Sequence, residues 1–218
     1  MTLSLARFRH IAIEGPIGAG KTSLARKLAD RLGAELMLER PAENPFLDRF
    51  YADMTGYAFQ TQLFFLFQRQ KQVQAIAQPD VFGAAVVSDF MLAKDALFAR
   101  LTLSDEEHRL YAQMYAQVAT QVREPDLVLW LQASPETLLG RVRRRGIAME
   151  RAIDAAYLAR LCDAYAEHFH SYQGAPVFAV DTERVNFVER DLDLDHLIER
   201  LERFEGRRDS LDTATPLQ

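Results

Sequence analysis

The residues most able to do chemistry stand together in one run, Glu14-Gly15-Pro16-Ile17-Gly18-Ala19-Gly20-Lys21-Thr22. Residues 15–22 fit G-x-x-x-x-G-K-T, the spacing of a phosphate-binding loop. Gly18 and Gly20 let the backbone curl close around phosphate oxygens, because no Cβ intervenes. A helix that begins at residue 22 aims free N–H groups and the positive end of its dipole at the same place. Lys21 supplies a mobile cation for the outer phosphates, and the Thr22 hydroxyl supplies a ligand for Mg²⁺. Glu14 adjoins this loop. A carboxylate beside a phosphate site is costly unless it works with a metal or a proton. It is therefore expected to accept a proton from an attacking hydroxyl, or to act through Mg²⁺ and water. A charge partner for the helix that follows is the plainer alternative.

Further groups could join that site. Asp89 follows an apolar run, and an acid at the tip of a neighbouring strand is the usual second support for Mg²⁺ in P-loop enzymes. An Asp after a strand is also a common turn residue. Arg141, Arg143, Arg144 and Arg145 form a basic cluster in which Arg141 and Arg145, four apart, share a helix face. Such a helix could close as a lid over a triphosphate and neutralise charge on a transferred phosphoryl group, or be a solvated basic face. Gln62 and Arg69 lie seven apart, two turns along a helix rich in Phe59, Leu63, Phe64, Leu66 and Phe67. Polar groups on so apolar a helix need partners. An amide and a guanidinium beside aromatic rings suit the edge of a nucleobase, and equally a satisfied core pair or a dimer contact. Asp95 could pair with Arg69. Tyr51 and Glu150 could reach a sugar hydroxyl, or be ordinary packing and an exposed charge. The histidines show no metal-ligand pattern.

These groups need elements to position them. Five short apolar runs, at 10–13, 35–38, 84–87, 127–131 and 176–180, alternate with helical segments. That order predicts an α/β fold with a five-stranded, mostly parallel sheet flanked by helices. Ligands bind at the carboxyl ends of such strands, which singles out Glu14, Glu39, Asp89, Ser134 and Asp181. Helices are expected over 22–32, where Leu24, Leu28 and Leu32 share a face, and over 56–78. Others start from the caps Ser104 and Ser134-Pro135, and two more span 154–172 and 189–204. The polar stretch 206–218 reads as a flexible tail, leaving 1–205 as a single domain.

Composition narrows the function classes. The 218 residues are 49% hydrophobic, enough for one well-filled core. A net charge of −5 lacks the basic excess of a general nucleic-acid binder. Cys162 is the single cysteine, which suits a reducing cytoplasm rather than a disulfide framework. No signal-like apolar region opens the chain, and no apolar run is long enough to span a bilayer. A cytoplasmic protein with neither nucleic-acid nor membrane partners is expected.

The sequence resembles the deoxyribonucleoside kinase family, and most of all its bacterial deoxyguanosine and deoxyadenosine kinases. The likeness is carried by the loop run ending at Thr22, by Glu43-Asn44-Pro45-Phe46-Leu47-Asp48-Arg49-Phe50-Tyr51, by the helix holding Gln62 and Arg69, by Ser88-Asp89 and Lys94-Asp95, and by 141–150. It implies a P-loop kinase fold with an arginine-rich lid. The implied reaction is transfer of the γ-phosphoryl of ATP, with Mg²⁺, to the 5′-hydroxyl of a purine deoxynucleoside in nucleotide salvage. Position by position, the resemblance makes Glu14 the base for the 5′-hydroxyl and Glu39 an acid near it. Tyr51 and Glu150 hold the 3′-hydroxyl, Gln62 reads the base, and Arg69 with Asp95 lines the base pocket. Arg141 and Arg145 act from the lid, Thr22 and Asp89 serve the metal, and 181–187 cradles the adenine of ATP. A homodimer through long helices is also implied. Two positions depart from the family: Phe90 stands where many relatives place an arginine, and Ile147 where some lids have one. A thymidylate-type nucleoside monophosphate kinase, or a catalytically silent nucleotide-binding subunit, are the alternatives. Intact Glu14, Lys21 and Thr22 speak against the silent subunit.

Overall fold

The structure is a computed structural model and describes residues 4–77 and 85–212. Six parallel strands form one sheet: β1 (His10–Glu14), β2 (Glu35–Met37), β3 (Val86–Ser88), β4 (Leu127–Gln132), β5 (Val177–Asp181) and β6 (Arg208–Leu211). Their order is β2-β3-β1-β4-β5-β6. After β1 the chain runs to one side for β2 and β3 and to the other for β4, β5 and β6. A crevice therefore opens at the carboxyl end of β1, where the direction of winding reverses. Central strands of such a sheet are covered on both faces, so they read as continuous apolar runs. Ile11, Ala12, Ile13, Leu127, Val128, Leu129, Leu131, Phe178 and Val180 are all buried.

The α/β fold with a parallel sheet is as expected, with one correction. The sheet has six strands rather than five, and the sixth comes from the segment expected to be a loose tail. Arg208, Asp209 and Ser210 are exposed, so this edge strand carries no apolar run to betray it. What holds it is pairing with β5, from Val177 opposite Arg208 to Val180 opposite Leu211, and the burial of Leu211. Residues 213–218 of that tail lie outside the described residues, as do residue 84 of the third apolar run and residue 78 of the long helix.

Eight helices are seen among the described residues. They are α1 (Lys21–Leu32), α2 (Leu47–Ala52), α3 (Met54–Ala77), α4 (Lys94–Thr102), α5 (Asp105–Ala119), α6 (Pro135–Arg145), α7 (Ala155–Ser171) and α8 (Asp191–Glu202). Local chemistry sets several starts. Ser104 and Glu107 form a reciprocal capping box at α5, Ser134 caps α6 ahead of Pro135, and Asp154 caps α7. Helices α2 and α4 had no clear sequence signal. Both are short, and both gain their stability by packing, α2 on α3 and α4 on α3, α5 and α7. Among the described residues no helix is long and apolar enough to cross a membrane.

Candidate active site

The phosphate loop fills the turn from β1 to α1. Gly15 has φ +148° and a Cβ there would lie 2.5 Å from the Leu131 carbonyl oxygen; Gly18 has φ +88° and its Cβ would lie 2.9 Å from that of Leu138. The loop is pressed against β4 and α6, so only glycine fits at these two positions. Lys21 Nζ donates to the carbonyl oxygens of Gly15 and Pro16 at 2.7 and 3.0 Å, which folds the amine back across the cradle. Burial and, next, the Lys94 ammonium lower the Lys21 pKa to about 8.

Beside the loop, acids and cations alternate. Thr22 Oγ1 donates to Asp89 Oδ2 at 2.5 Å, and the other Asp89 oxygen accepts the Glu39 backbone N–H at 2.7 Å. Two protein oxygens at the mouth of a phosphate loop fit a Mg²⁺ ion that takes its remaining ligands from phosphate and water. Among the described residues no set of three acidic, His or Cys side chains forms a closed metal cage. Glu39 Oε1 accepts Arg69 Nε at 2.9 Å and also Arg69 Nη2, while Lys94 Nζ lies 3.1 Å from Oε2 and 3.4 Å from Oε1. Despite burial, the Arg69 and Lys94 charges hold the Glu39 carboxyl well below the usual carboxylate range. The other end of Arg69 pairs with Asp95, which also accepts the Tyr111 hydroxyl at 3.4 Å. Burial outweighs the pull of Arg69 on Asp95 and raises its pKa to about 6.

A cavity of about 430 Å³ runs from the phosphate loop along these groups. That lies within the usual range for small-molecule sites. Lys21, Thr22, Asp89, Glu39 and Lys94 line one end; Gln62, Arg69, Phe65 and Phe98 line the deeper wall; Tyr51, Glu150, Arg145 and Tyr157 close the lid side. The Arg69 guanidinium stacks 4.7 Å from the Phe65 ring centre. Gln62 donates to Thr102 Oγ1 at 3.4 Å, while Gln60 turns back to the Gly56 carbonyl and does not line the cavity. Arg145 Nη2 donates to both Glu150 oxygens at 2.7 Å.

Of the residues singled out in the sequence, many meet around this cavity, while Glu14, Asp95, Arg141, Ser134 and Asp181 do not line it. Glu14 is the most telling of these. Its side chain is 1% exposed and does not line the cavity. One oxygen accepts the Met91 N–H at 2.8 Å, and the other accepts the Tyr165 hydroxyl at 2.9 Å and the Gly15 N–H at 3.1 Å. A carboxylate so fully engaged braces the loop from below and has no oxygen turned toward an acceptor hydroxyl. Arg141 also lies outside the lining: it donates to Thr182 Oγ1 at 2.8 Å and to the Thr182 carbonyl at 2.6 Å, pinning α6 to the turn after β5. Asp95 stands one layer behind the wall and acts through Arg69.

Three polar cavity residues carried no assignment in the sequence. Tyr157 and Thr61 line the cavity, and their buried hydroxyls have no partner, which leaves both available to a ligand. Lys94 was visible only as the neighbour of Asp95. Its place in the first turn after the β3 tip was the available signal, because ligands collect at strand tips.

A phosphate loop at the carboxyl edge of a parallel sheet, opening on an acid-lined cavity, defines a phosphotransferase with a small acceptor. The sequence profile of the deoxynucleoside kinases matches residues 11–204. The chain belongs to the deoxynucleoside kinase family. It is 34% identical over 194 residues to the deoxyguanosine kinase of Bacillus subtilis (strain 168), covering 86% of this chain and 93% of that one. It is 30% identical over 193 residues to the deoxyadenosine kinase of Lactobacillus acidophilus, covering 82% and 87%. A solved deoxyadenosine kinase from M. mycoides superposes with a TM-score of 0.78 at 25% identity, over 89% of this chain and all of that one.

Proposed function

We propose that this chain, acting as one domain, transfers the γ-phosphoryl group of ATP to the 5′-hydroxyl of a purine deoxynucleoside, in nucleotide salvage. The observation that carries this reading is one cavity that joins Lys21 and Thr22 to Glu39, Gln62 and Arg69. Glu39, rather than Glu14, receives the hydroxyl proton: it lines the cavity next to the phosphate loop, whereas Asp89 is taken up by Thr22 and Glu150 lies by Arg145 of the lid. Tyr51 and Glu150 hold the 3′-hydroxyl, with Tyr157 beside them. Gln62 and Arg69 read the base, Arg69 being aimed by Asp95, and Phe65 and Phe98 give it apolar walls. Thr22 and Asp89 would hold Mg²⁺, which supplies charge neutralisation on the β- and γ-phosphates. Arg145 reaches the phosphates from the lid once it lets go of Glu150, and Arg141 sets the lid helix. Purine use is supported by relatives named for deoxyguanosine and deoxyadenosine.

A homodimer through α3 and α5 belongs to the same reading. Phe67 and Leu110, both large and apolar, are 48% and 52% exposed on those helices. The compartment is the cytoplasm, in keeping with one unpaired cysteine.

A coupled ATP assay over the four deoxynucleosides, with deoxyguanosine monophosphate as a fifth acceptor, tests the reaction. Deoxyguanosine or deoxyadenosine should lead; preference for the monophosphate would refute the acceptor. Glu39→Gln should cut turnover by about 10² to 10⁴. Glu14→Gln should lower stability by about 1–3 kcal/mol through its buried donors, yet leave turnover of the folded protein within a few fold. The reverse pattern would return the base to Glu14.

A further inference from the structure

Lys94 opens α4, is 8% exposed and reaches the cavity over the Phe98 ring, 5.5 Å from its centre. An ammonium carries three donors, and among the described residues the hydrogen bonds of this one go only to the Glu39 carboxylate. Its charge also reaches Lys21, where it is the largest influence after burial on that amine. Two amines, Lys94 buried and Lys21 half-buried, thus meet at one cavity, from α4 and from the phosphate loop. A multiply charged anion between them would relieve their repulsion. Phe90, the residue after Asp89, is fully buried and puts no charge there, so no closer cation competes from the β3 tip.

Resting on the kinase reading above, we infer that Lys94 is a second phosphoryl-contacting cation. It holds Glu39 in the empty site and turns to the transferring phosphoryl group when both substrates are bound. The two oxygens of Glu39 are not equivalent. Oε1 is held by Arg69, whereas Oε2 has Lys94 as its only donor. Movement of Lys94 onto the phosphoryl group frees Oε2 to accept a hydrogen bond from the acceptor hydroxyl. The acceptor hydroxyl then gives its proton to Oε2 as its oxygen forms the new bond to the γ-phosphorus. The bond from that phosphorus to the bridging oxygen breaks, and the electron pair leaves with ADP. One movement thus prepares the base and stabilises the charge on the group in flight.

Lys94→Gln and Lys94→Arg in the full chain test this, with Glu39→Gln alongside and ATP and deoxyguanosine as substrates. Gln keeps a donor toward Glu39, and so the fold, but brings no charge to the phosphoryl group. Lys94→Gln should lose about 10² to 10³ in kcat, as when one preorganised charge donor is removed. The KM for deoxyguanosine should change far less, because Lys94 faces the reacting end of the cavity. Lys94→Arg should recover at least a tenth of parental kcat, on the order expected when charge is kept and geometry altered. A lysine that served Glu39 alone would leave kcat near parental in the Gln variant, which keeps a donor toward that carboxylate. Near-parental kcat in Lys94→Gln with an inactive Glu39→Gln overturns the role of Lys94 alone. An active Glu39→Gln overturns the reading beneath it as well. An Arg variant no better than Gln also overturns the role of Lys94.

Discussion

Lys21 is poised near its own protonation midpoint. Burial and Lys94 lower its pKa from 10.5 to about 8, while Glu14, Glu39 and Asp89 pull the other way. A bound triphosphate would favour the charged amine. Above pH 8 the free protein has therefore lost a proton that the complex keeps, and binding must take it up. ATP affinity should fall as pH rises from about 8 toward 10, by up to about tenfold per unit. Titration calorimetry at pH 9 in two buffers of different ionisation enthalpy should show net proton uptake, and a dissociation constant flat across this window would contradict it. The same residue illustrates what residue types alone convey. Lys21 and Thr22 were legible because a contiguous motif carries its own geometry. Lys94 was not, because its value comes from facing Glu39, fifty-five positions away.

At the scale of elements, the site is assembled from tips. β1 delivers the phosphate loop, the stretch beyond β2 delivers Glu39, β3 delivers Asp89 and then α4 with Lys94, and α3 runs Gln62 and Arg69 along the wall. The four inner strands were readable because buried parallel strands must be apolar on both faces; β2, an exposed edge strand, showed only through Leu36-Met37-Leu38. β6 was not readable, since an edge strand needs only backbone pairing and one anchor. Leu211 is that anchor, at 1% exposed. Leu211→Ala should lower unfolding stability by about 2 kcal/mol or more, as for other buried leucines. Urea unfolding checks this, and a change below about 0.5 kcal/mol, the range of surface substitutions, would mean that the segment behaves as a tail. The lid shows the opposite limit. Spacing put Arg141 and Arg145 on one face of α6, yet Arg141 is held by Thr182 and Arg145 by Glu150.

For the molecule as a whole, stability depends on a group far from the reaction. His10 on β1 is buried, its Nε2 2.8 Å from Ser88 Oγ, and Ser88 in turn donates to the Phe90 carbonyl. Burial lowers its pKa from 6.5 to about 4, with Arg123 adding to the shift and Asp126 opposing it. The unfolded chain takes up this proton below about pH 6.5 and the folded one only below about 4. Stability should therefore fall as pH drops through that window, by up to about 3 kcal/mol, and level off beneath it. Thermal unfolding of the parent and of His10→Gln between pH 4 and 7 reads the difference. Parallel curves would remove His10 as the cause. Acid loss of activity in this range would thus include unfolding, which this variant separates out.

The sequence by itself determined the phosphate loop, the alternation of strands and helices, and the set of polar residues that gather at the strand tips. Each of these is local: a motif, a period, or a position just past an apolar run. Only the tertiary structure decided which acid faces the cavity. Glu14 and Glu39 both follow apolar strands, and nothing in their types separates them. Met91, Tyr165 and Gly15 draw the first beneath the loop, while Arg69 and Lys94 hold the second open to it. A side chain's direction at a strand end is set by partners from distant segments, and those meet only when the sheet has formed.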